Sequence, residues 1–514
     1  MIKNKFFKEK IFSYNKNKKP TYNLTRFVIL RVLAFVYLFA FLSLAFQVVP
    51  LLGEHGLLPA KDYINYVGSH FESKTAAFFR LPSIFWFNIS DGFLVVLAWG
   101  GAVLSLIVLF GFANIPIMAL LCSIYMSFVH IGQVFYGYGW EIQLLETGFL
   151  AIFLCPLWDA RPFPKNKTPV PVIWLFKWLA FRIYLGSGLI KIRGDECWRN
   201  LTCLYYHYET QPIPNPLSPY FHFTPRIILK FGVLWNHFIE LIVPFFVFFL
   251  GIIGYVAGTL LITFQIILII GGNYSFLNWI TIVPCIACFD DNFFRKILPN
   301  YLVKKSEETI KYQKGYRWQN IASWALVILI TFFSLPVVKN LVSQNQYMNT
   351  SFNQWEIVNT YGAFGSVGKT RYELVVEGTE EKTITKDTKW KEYEFFAKPT
   401  NINRRLPIIA PYQPRIDWQI WFAAMETPND NPWLIHLIWK FLHNDKGAVS
   451  LISSNPFKDK PPEYIRVSFY EYEFNHPGGR NGVWSRKYLG EWLPPLSASN
   501  PDLQRYIAAY GWKD

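Results

Sequence analysis

Charged residues are scarce in this 514-residue chain. Asp, Glu, Lys and Arg make up 17% of it, whereas an ordinary soluble domain contains about 25%. Hydrophobic residues reach 52% and aromatic residues 19%. This composition excludes a disordered or collagen-like chain and indicates a protein that lies largely in a membrane. The mean hydropathy of only +0.19 predicts that a sizeable polar part accompanies the apolar part.

Cysteine is also rare, with 6 residues in the whole chain, which excludes a small disulfide scaffold. The sequence contains no P-loop, no G-x-G-x-x-G, no H-E-x-x-H and no G-x-S-x-G. Those motifs bind phosphates or dinucleotides, hold zinc or present a serine nucleophile. We therefore predict no cofactor and no metal ion, and we do not expect an enzyme.

Lys and Arg outnumber Asp and Glu by 50 to 35, which gives a formal net charge of +15. A basic excess of this size can indicate nucleic-acid binding. Here basic residues cluster just before an apolar run, an arrangement that orients a membrane helix. We predict a basic cytoplasmic tail over residues 1–26, with membrane lipids and not nucleic acid as a partner. The clustered positions are 3, 5, 8, 10, 16, 18, 19 and 26.

Apolar runs fill most of the first two thirds of the chain, and a helix needs about 20 such residues to cross a membrane. The sequence predicts an α-helical polytopic membrane bundle of about nine spans over residues 27–338. The segments 142–158 and 276–289 are short and fit either a tilted or a re-entrant helix. The other segments are 27–49, 93–112, 115–136, 172–190, 228–250, 252–270 and 321–338.

An odd number of crossings separates the two ends of the chain across the membrane. With the N-terminus in the cytoplasm, the loops 53–91 and 191–226 are exoplasmic. Residues 340–514 are then an exoplasmic soluble domain, long enough for its own core. We predict an α+β or mostly β domain, because alternating runs indicate strands and other runs indicate short helices. The strands are expected at 372–376 and 464–474, the helices at 418–425 and 432–442.

Two pairs of cysteines lie close in sequence. Cys197 and Cys203 share an exoplasmic loop, where an oxidising compartment favours a disulfide over a metal site or free thiols. Cys285 and Cys288 form a C-x-x-C, which can indicate thiol exchange. That motif ends an apolar run and precedes two aspartates, which disfavour a thiolate. We therefore expect these two side chains to pack within the membrane part.

Ionisable side chains within the apolar runs are a further candidate set, because each is costly unless it is paired or hydrated. Arg182 lies deep in its run, Glu240 lies equally deep in the next, and His237 precedes Glu240 by one helical turn. We predict an intramembrane polar network in which Arg182 pairs with Glu240 beside His237. The alternative is a cavity that binds lipid, quinone or metal.

The segment from Tyr205 to Phe223 combines four prolines with aromatic residues. Proline restricts itself and the residue before it to extended conformations, so the segment favours an extended loop over a helix. Such a loop suits the binding of another chain. It equally suits a cover for the end of the bundle.

Several stretches of the sequence closely resemble the lipase maturation factor family. They lie in both the membrane part and the C-terminal part, and together they extend over most of the chain from about Thr21. The stretches are Lys191-Ile-Arg-Gly-Asp-Glu-Cys-Trp-Arg-Asn-Leu-Thr-Cys203, His207-Tyr-Glu-Thr-Gln-Pro-Ile-Pro-Asn-Pro216, Asn236-His-Phe-Ile-Glu240, Asn273-Tyr-Ser-Phe-Leu-Asn-Trp279, Cys288-Phe-Asp-Asp291, Asn359-Thr-Tyr-Gly-Ala-Phe-Gly-Ser366, Ala410-Pro-Tyr-Gln-Pro-Arg-Ile-Asp-Trp418, Asn455-Pro-Phe-Lys-Asp-Lys-Pro-Pro462 and Leu489-Gly-Glu-Trp-Leu-Pro-Pro495.

The resemblance implies a chaperone-like protein of the endoplasmic reticulum membrane that helps secreted lipases to fold, with its C-terminal domain engaging the client in the lumen. In a bacterium the corresponding site is the inner membrane, facing the periplasm. Binding of an unfolded client requires exposed apolar or aromatic surface. We predict client contacts from five aromatic residues, Tyr205, Tyr208, Trp355, Tyr412 and Trp418.

The alternative is an integral-membrane enzyme, redox or carboxylase-like, that acts on lipid, quinone or an exported polypeptide. Arg182, His237, Glu240 and the cysteine pairs would then form its site. A stoichiometric cofactor in the purified protein would favour the enzyme. A co-purified client without a cofactor would favour the folding factor.

Overall fold

The computed structural model describes residues 20–479 and 482–512. Of the predicted basic tail, residues 1–19 lie outside this range. Helices dominate as far as Val342, and a small antiparallel sheet follows. The helices of this first part are α1 (Asn23–Leu52), α2 (Ala60–Ser69), α3 (Lys74–Arg80), α4 (Asp91–Leu109), α5 (Ile115–Ile131), α6 (Gly139–Leu154), α7 (Val170–Arg193), α8 (Glu196–Arg199), α9 (Leu204–Thr210), α10 (Ser218–His222), α11 (Arg226–His237), α12 (Ile252–Gly271), α13 (Leu277–Cys285), α14 (Asp291–Phe294), α15 (Asn300–Ile310) and α16 (Arg317–Val342).

Six helices within the described ranges are long and apolar enough to cross a membrane. They are α1, α4, α7, α12, α16 and the segment Arg226–Phe248 that begins with α11. Three other predicted spans are shorter, with 17 residues in α5, 16 in α6 and an apolar segment at Leu277–Cys288. The membrane bundle is therefore confirmed with six candidate spans, and nine spans stay a prediction.

The bundle has two ends, which we name by what they contact. At the basal end, Asp291 accepts hydrogen bonds from the backbone N–H groups of Asn23 at 3.0 Å and Leu24 at 2.7 Å. This carboxylate caps the start of α1, where backbone N–H groups lack helical partners. At the domain end, Gln47 near the end of α1 donates to the Gln413 carbonyl of the C-terminal region at 2.8 Å.

The segment that begins with α11 is not one regular helix. It continues as a π-helical turn over Phe238–Ile242 and then as a 3₁₀ helix over Val243–Phe248. Pro244 near the start of the 3₁₀ helix has no N–H and clashes with the carbonyl four residues earlier, so a regular helix cannot continue. The π turn contains the buried Glu240. Such turns occur often near functional sites.

The C-terminal region is an α+β fold around a four-stranded antiparallel sheet with strand order β2-β1-β3-β4. The central pair runs in register from Arg371 opposite Tyr472 to Thr379 opposite Tyr464. The strands are β1 (Arg371–Thr379), β2 (Lys391–Glu392), β3 (Tyr464–Phe474) and β4 (Trp484–Leu496), and the helices are α17 (Arg415–Ala423), α18 (Pro432–Leu442), α19 (Lys446–Ser450) and α20 (Pro501–Ala509).

β4 is a long edge strand of 13 residues. Its register with β3 shifts at three places, and Gly490 in its middle has a φ of +153°. A residue with a β-carbon rarely adopts that backbone conformation, so glycine suits the irregular position. Pro494 and Pro495 lie near the end of the strand.

The proline-rich segment from Tyr205 to Phe223 is more helical than its sequence suggests. α9 ends at Thr210, before the first of the four prolines, and only residues 211–217 separate it from α10. Pro219 lies in the first turn of α10, a position that tolerates proline because the missing N–H has no helical partner there. The prediction of an extended loop is therefore wrong where the segment forms α9 and α10.

Candidate functional site

Arg182 and Glu146 form a buried ion pair where the bundle meets the C-terminal region. Arg182 of α7 contacts Glu146 of α6 and donates through Nη1 to the Asn359 carbonyl at 2.8 Å. Glu146 Oε2 accepts from the backbone N–H of Asn359 at 3.0 Å and from the Tyr361 hydroxyl at 2.7 Å. An unpaired charge would be costly here, so the pair fixes residues 359–361 against the two helices.

A second buried pair joins Arg415, the first residue of α17, to Glu141 in the first turn of α6. Arg415 Nη1 also donates to the Phe135 carbonyl at 3.0 Å, and its guanidinium lies 3.9 Å from the centre of the Tyr136 ring. The Arg415 backbone N–H donates to Gln47 Oε1 at 2.8 Å. These contacts hold α17 against α1 and α6.

A third buried pair lies between α7 and the π turn. Lys191 Nζ donates to both carboxylate oxygens of Glu240, at 2.6 and 2.8 Å. The amide of Asn236 fits this pair when it accepts from Lys191 and donates to Glu240, each at 3.3 Å. The Trp198 ring centre is 5.1 Å from Lys191 Nζ. Both charges are therefore satisfied inside the bundle.

The predicted pairing of Arg182 with Glu240 is wrong. Arg182 and Lys191 both lie on α7, about 13 Å apart along its axis at about 1.5 Å per residue. Arg182 faces α6, whereas Lys191 faces Glu240. His237 donates from Nε2 to the Trp198 carbonyl at 3.0 Å. Depth along an apolar run predicts that a charge needs a partner, but it does not predict the direction of the side chain.

A cleft of about 600 Å³ lies between the bundle and the C-terminal region. One wall is aromatic: the Trp140 and Trp418 ring centres are 5.0 Å apart, and Tyr138 stacks on Trp140 at 4.4 Å. Trp421, Phe422 and Met425 extend this wall from α17 and the residues after it. A second wall is formed by the segment 362–372, which is irregular before β1 begins.

The loop that contains Cys197 and Cys203 positions the irregular wall of the cleft. These two cysteines form a disulfide, which confirms the prediction. Within the same loop, the Asp195 backbone N–H donates to the Gly365 carbonyl at 2.9 Å and the Trp198 indole donates to the Phe364 carbonyl at 2.8 Å. The disulfide closes a short loop and so restrains the groups that hold the wall.

The five predicted client contacts do not form one surface. Trp418 lines the cleft but is only 4% exposed, and Tyr412 bonds to Gln47. Tyr205 and Tyr208 are half-buried within α9, whereas Trp355 is 40% exposed outside the cleft lining. The sequence predicted a helix at 418–425 but did not show that its aromatic face meets α6.

The residues of the alternative enzyme site are dispersed. Cys285 and Cys288 are buried and free, near the basal end. Arg182, His237 and Glu240 each contact a different partner. Over residues 20–479 and 482–512, no group of three or more His, Cys, Asp or Glu side chains is arranged to hold a metal ion.

Glu356, His130 and Arg80 line a smaller cavity of about 390 Å³ at the domain end. Nε2 of His130 is 3.9 Å from Glu356 Oε1, and His130 Nδ1 lies 2.6 Å from the Pro82 carbonyl. Burial, with a smaller contribution from the charge of Glu141, raises the pKa of Glu356 to about 7. The carboxyl group therefore titrates near neutral pH.

We expect the Arg182–Glu146 pair to be strongly coupled. Arg182→Met or Glu146→Gln alone should lower the free energy of unfolding by about 3 to 5 kcal/mol, because each leaves a buried charge unpaired. The double variant should lose clearly less than the sum. Thermal unfolding in detergent micelles measures this, and additive losses would contradict the pairing. Arg182→Met combined with Glu240→Gln is the control, and its two losses should simply add.

We expect Glu356 to make the protein less stable as the pH rises through about 7. Its pKa is raised in the folded protein, so the folded state binds the proton more tightly than the unfolded chain does. The stabilisation is complete below about pH 4.5 and should fall by about 3 kcal/mol by pH 8. Unfolding temperatures across this range should show the loss in the native protein and a reduced slope in Glu356→Gln. Identical slopes would contradict the assignment.

Comparison with known proteins identifies the family. Residues 24–296 match the lipase maturation factor transmembrane domain, and residues 357–494 match the lipase maturation factor C-terminal domain. Lipase maturation factor 1 of Bos taurus is 45% identical over 96% of this chain and 92% of that protein, and that of Homo sapiens is 43% identical over 96% and 91%. Lipase maturation factor 2 of Xenopus laevis is 29% identical over 96% and 85%. No solved structure matches the chain.

Both family domains match, and the first relatives are aligned over almost their whole length. This outcome agrees with the resemblance of the shorter sequence stretches. The chain belongs to the lipase maturation factor family.

Proposed function

We propose that this chain is a membrane-anchored maturation factor that binds incompletely folded exported lipases in the cleft between its bundle and its C-terminal region. Lipase maturation is what the names of its relatives describe. The observation that carries the proposal is the cleft itself, which pairs an aromatic wall with an irregular backbone wall. The chain acts by binding and release, and no covalent step is required.

The cleft suits an extended polypeptide. Within the described part of the chain, the backbone N–H groups of Ala363, Ser366 and Lys369 make no hydrogen bond to protein groups. Free main-chain groups can pair with an extended client, while the aromatic wall receives its side chains. Unfolded segments of any sequence carry such backbone groups, so this mode of binding suits a client that lacks its final fold.

We further propose that the basal end faces the cytoplasm. The segments around Lys165 and Lys314 lie side by side there, through a bridge between Asn166 and Lys314, and both are rich in Lys and Arg. Such segments remain on the cytoplasmic side. The proposed parts are a tail over 1–26, a transmembrane domain over 27–338 and an exoplasmic domain over 340–514, with exoplasmic loops at 53–91 and 191–226.

The three shorter helical segments support nine crossings because each joins the two ends of the bundle. α6 begins beside Arg415 at the domain end and ends near Pro156, whose carbonyl accepts from the Ile115 backbone N–H at 3.0 Å. α5 starts at that basal contact and ends with His130 beside Pro82. The segment Leu277–Cys288 leads from the domain end to Phe289, next to Thr25.

The disulfide supports the same orientation. The loop with Cys197 and Cys203 packs against Phe364 and Val367 of the C-terminal region, so both belong to the domain end. Disulfides persist in oxidising compartments. The proposed location is the endoplasmic reticulum membrane with the domain in the lumen, or the inner membrane facing the periplasm in a bacterium.

Cysteine labelling tests the orientation. Lys304→Cys at the basal end and Ile408→Cys in the C-terminal region place exposed thiols on opposite sides of the proposed membrane. In sealed microsomes, a membrane-impermeant maleimide should label the first at once and the second only after permeabilisation. The unsubstituted protein is the control, since three of its four free cysteines are buried and the fourth is half-buried. Labelling of both sites before permeabilisation would contradict the odd number of crossings.

Client capture tests the cleft. Met425 is 56% exposed at its rim, so Met425→Asp should fold normally while placing a charge against an apolar client. We expect at least about a tenfold loss in lipase co-precipitated with the full-length protein, and a matching loss of secreted lipase activity at unchanged synthesis. Ile408→Asp is the control, because Ile408 is 78% exposed outside the cleft lining. If both variants captured equal amounts of lipase, the cleft would not be the client site.

A further inference from the structure

A second cavity of about 150 Å³ lies beneath the cleft, inside the bundle. Its walls come from α7, α11 and α12 and include Ile183, Phe264 and Leu268. The roof of this lower cavity is the floor of the cleft, because the two share a set of lining residues. The shared residues are Gly139, His207, Tyr274, Leu277, Asn349, Gly362, Ala363 and Phe364.

Phe364 lies at the boundary between the two cavities. Its ring is half-buried and packs edge-on to His207 at 4.8 Å and to Tyr274 at 5.4 Å. Its backbone has a φ of +53°, which is uncommon for a bulky residue and costs roughly 1 to 3 kcal/mol. The Trp198 indole N–H donates a hydrogen bond to the Phe364 carbonyl at 2.8 Å. The disulfide loop thus keeps an aromatic ring at the entrance to the lower cavity.

The ion pair and the histidine that line the lower cavity already have partners. Lys191 and Glu240 bond to each other, and His207 Nε2 lies 2.9 Å from the Tyr274 hydroxyl. Burial, and to a smaller extent the charge of Lys191, lowers the pKa of His207 to about 4, so its ring is neutral. The space itself is bounded largely by aliphatic and aromatic side chains. A cavity of this kind favours an apolar occupant over a charged one.

The volume of the lower cavity suits one large side chain. Apolar cavities of about 150 Å³ in protein cores stay dry and accept a benzene molecule. A phenyl ring or a branched aliphatic side chain has a similar size. If the main chain of a client lies in the cleft above, one such side chain can extend past Phe364 into the lower cavity. The cavity is too small for a helix or a strand.

We propose that the lower cavity receives a single aromatic or branched aliphatic side chain from the client segment bound in the cleft. The site would then select extended segments that carry one bulky apolar residue among smaller ones. Such residues are buried in a finished lipase and exposed only before folding is complete. This inference rests on the proposed function, because it assumes that a polypeptide occupies the cleft.

Peptide binding to the full-length protein in detergent micelles tests the proposal. The probe is a short fluorescein-labelled peptide of Ser, Thr and Val, with Phe, Leu or Ala at its central position. Burial of a Phe or Leu side chain should raise the affinity of the peptide by about 10-fold to 100-fold. We expect the Phe and Leu peptides to bind more tightly than the Ala peptide by that factor.

Filling the lower cavity should abolish the preference. Leu268→Trp enlarges a lining residue of α12, and we expect all three peptides to bind to it as weakly as the Ala peptide binds to the native protein. Ile270→Trp is the matched control, because Ile270 lies on the same helix, outside the lining and 42% exposed; it should keep the full preference. Ser187→Phe fills the same space from α7 and replaces Leu268→Trp if that variant does not fold.

The outcomes separate this inference from the proposed function. If no peptide binds, the cleft is not a polypeptide site and the proposed function fails with it. If all three peptides bind equally to the native protein, or if both filling variants keep the preference, the lower cavity is not the side-chain site. The proposal that the cleft binds polypeptide is then retained. A stoichiometric lipid found by mass spectrometry in the native protein and lost from the filling variants would assign the cavity to lipid and overturn the proposal.

Discussion

The ion pair of Glu146 and Arg182 is complete only when the chain beyond the last span folds back onto the bundle. Both charges lie within helices of the membrane part, yet Asn359 and Tyr361 supply three further hydrogen bonds to them. Buried charges are expensive unless all their bonding capacity is used. This requirement attaches the C-terminal region to α6 and α7, and the neighbouring pair of Glu141 with Arg415 repeats it one turn and a half away.

Local features could be predicted from the sequence, and pairings between distant residues could not. Hydropathy located the six long apolar helices, alternation located β1 and β3, and loop spacing gave the disulfide, because each depends on neighbours in sequence. The partners of Arg182 could not be found this way, since Glu146 is 36 residues away on another helix and Asn359 is 177 residues away. Trp418 and Met425 illustrate a second limit: a helix face that lines a cleft and one that fills a core have the same composition.

Because the aromatic wall of the cleft takes residues from both parts of the chain, neither part contains the proposed site alone. The C-terminal region without α6 would lack Tyr138 and Trp140, and the bundle alone would lack Trp418 and the irregular wall. Different contacts hold the two walls: the buried pair of Arg415 with Glu141 holds the aromatic wall, and the disulfide loop holds the irregular wall. The proposed binding site therefore exists only when the bundle and the C-terminal region are assembled.

The sheet has a long open edge at β4 in a protein proposed to handle unfolded polypeptides. Straight edges of this length recruit other strands and lead to aggregation. Here the three register shifts twist the edge, Gly490 interrupts it, and the paired prolines remove two donors near its end. Two copies of the protein therefore pair poorly through this edge. For the same reason, the edge is a poor template for the strands of incompletely folded chains nearby.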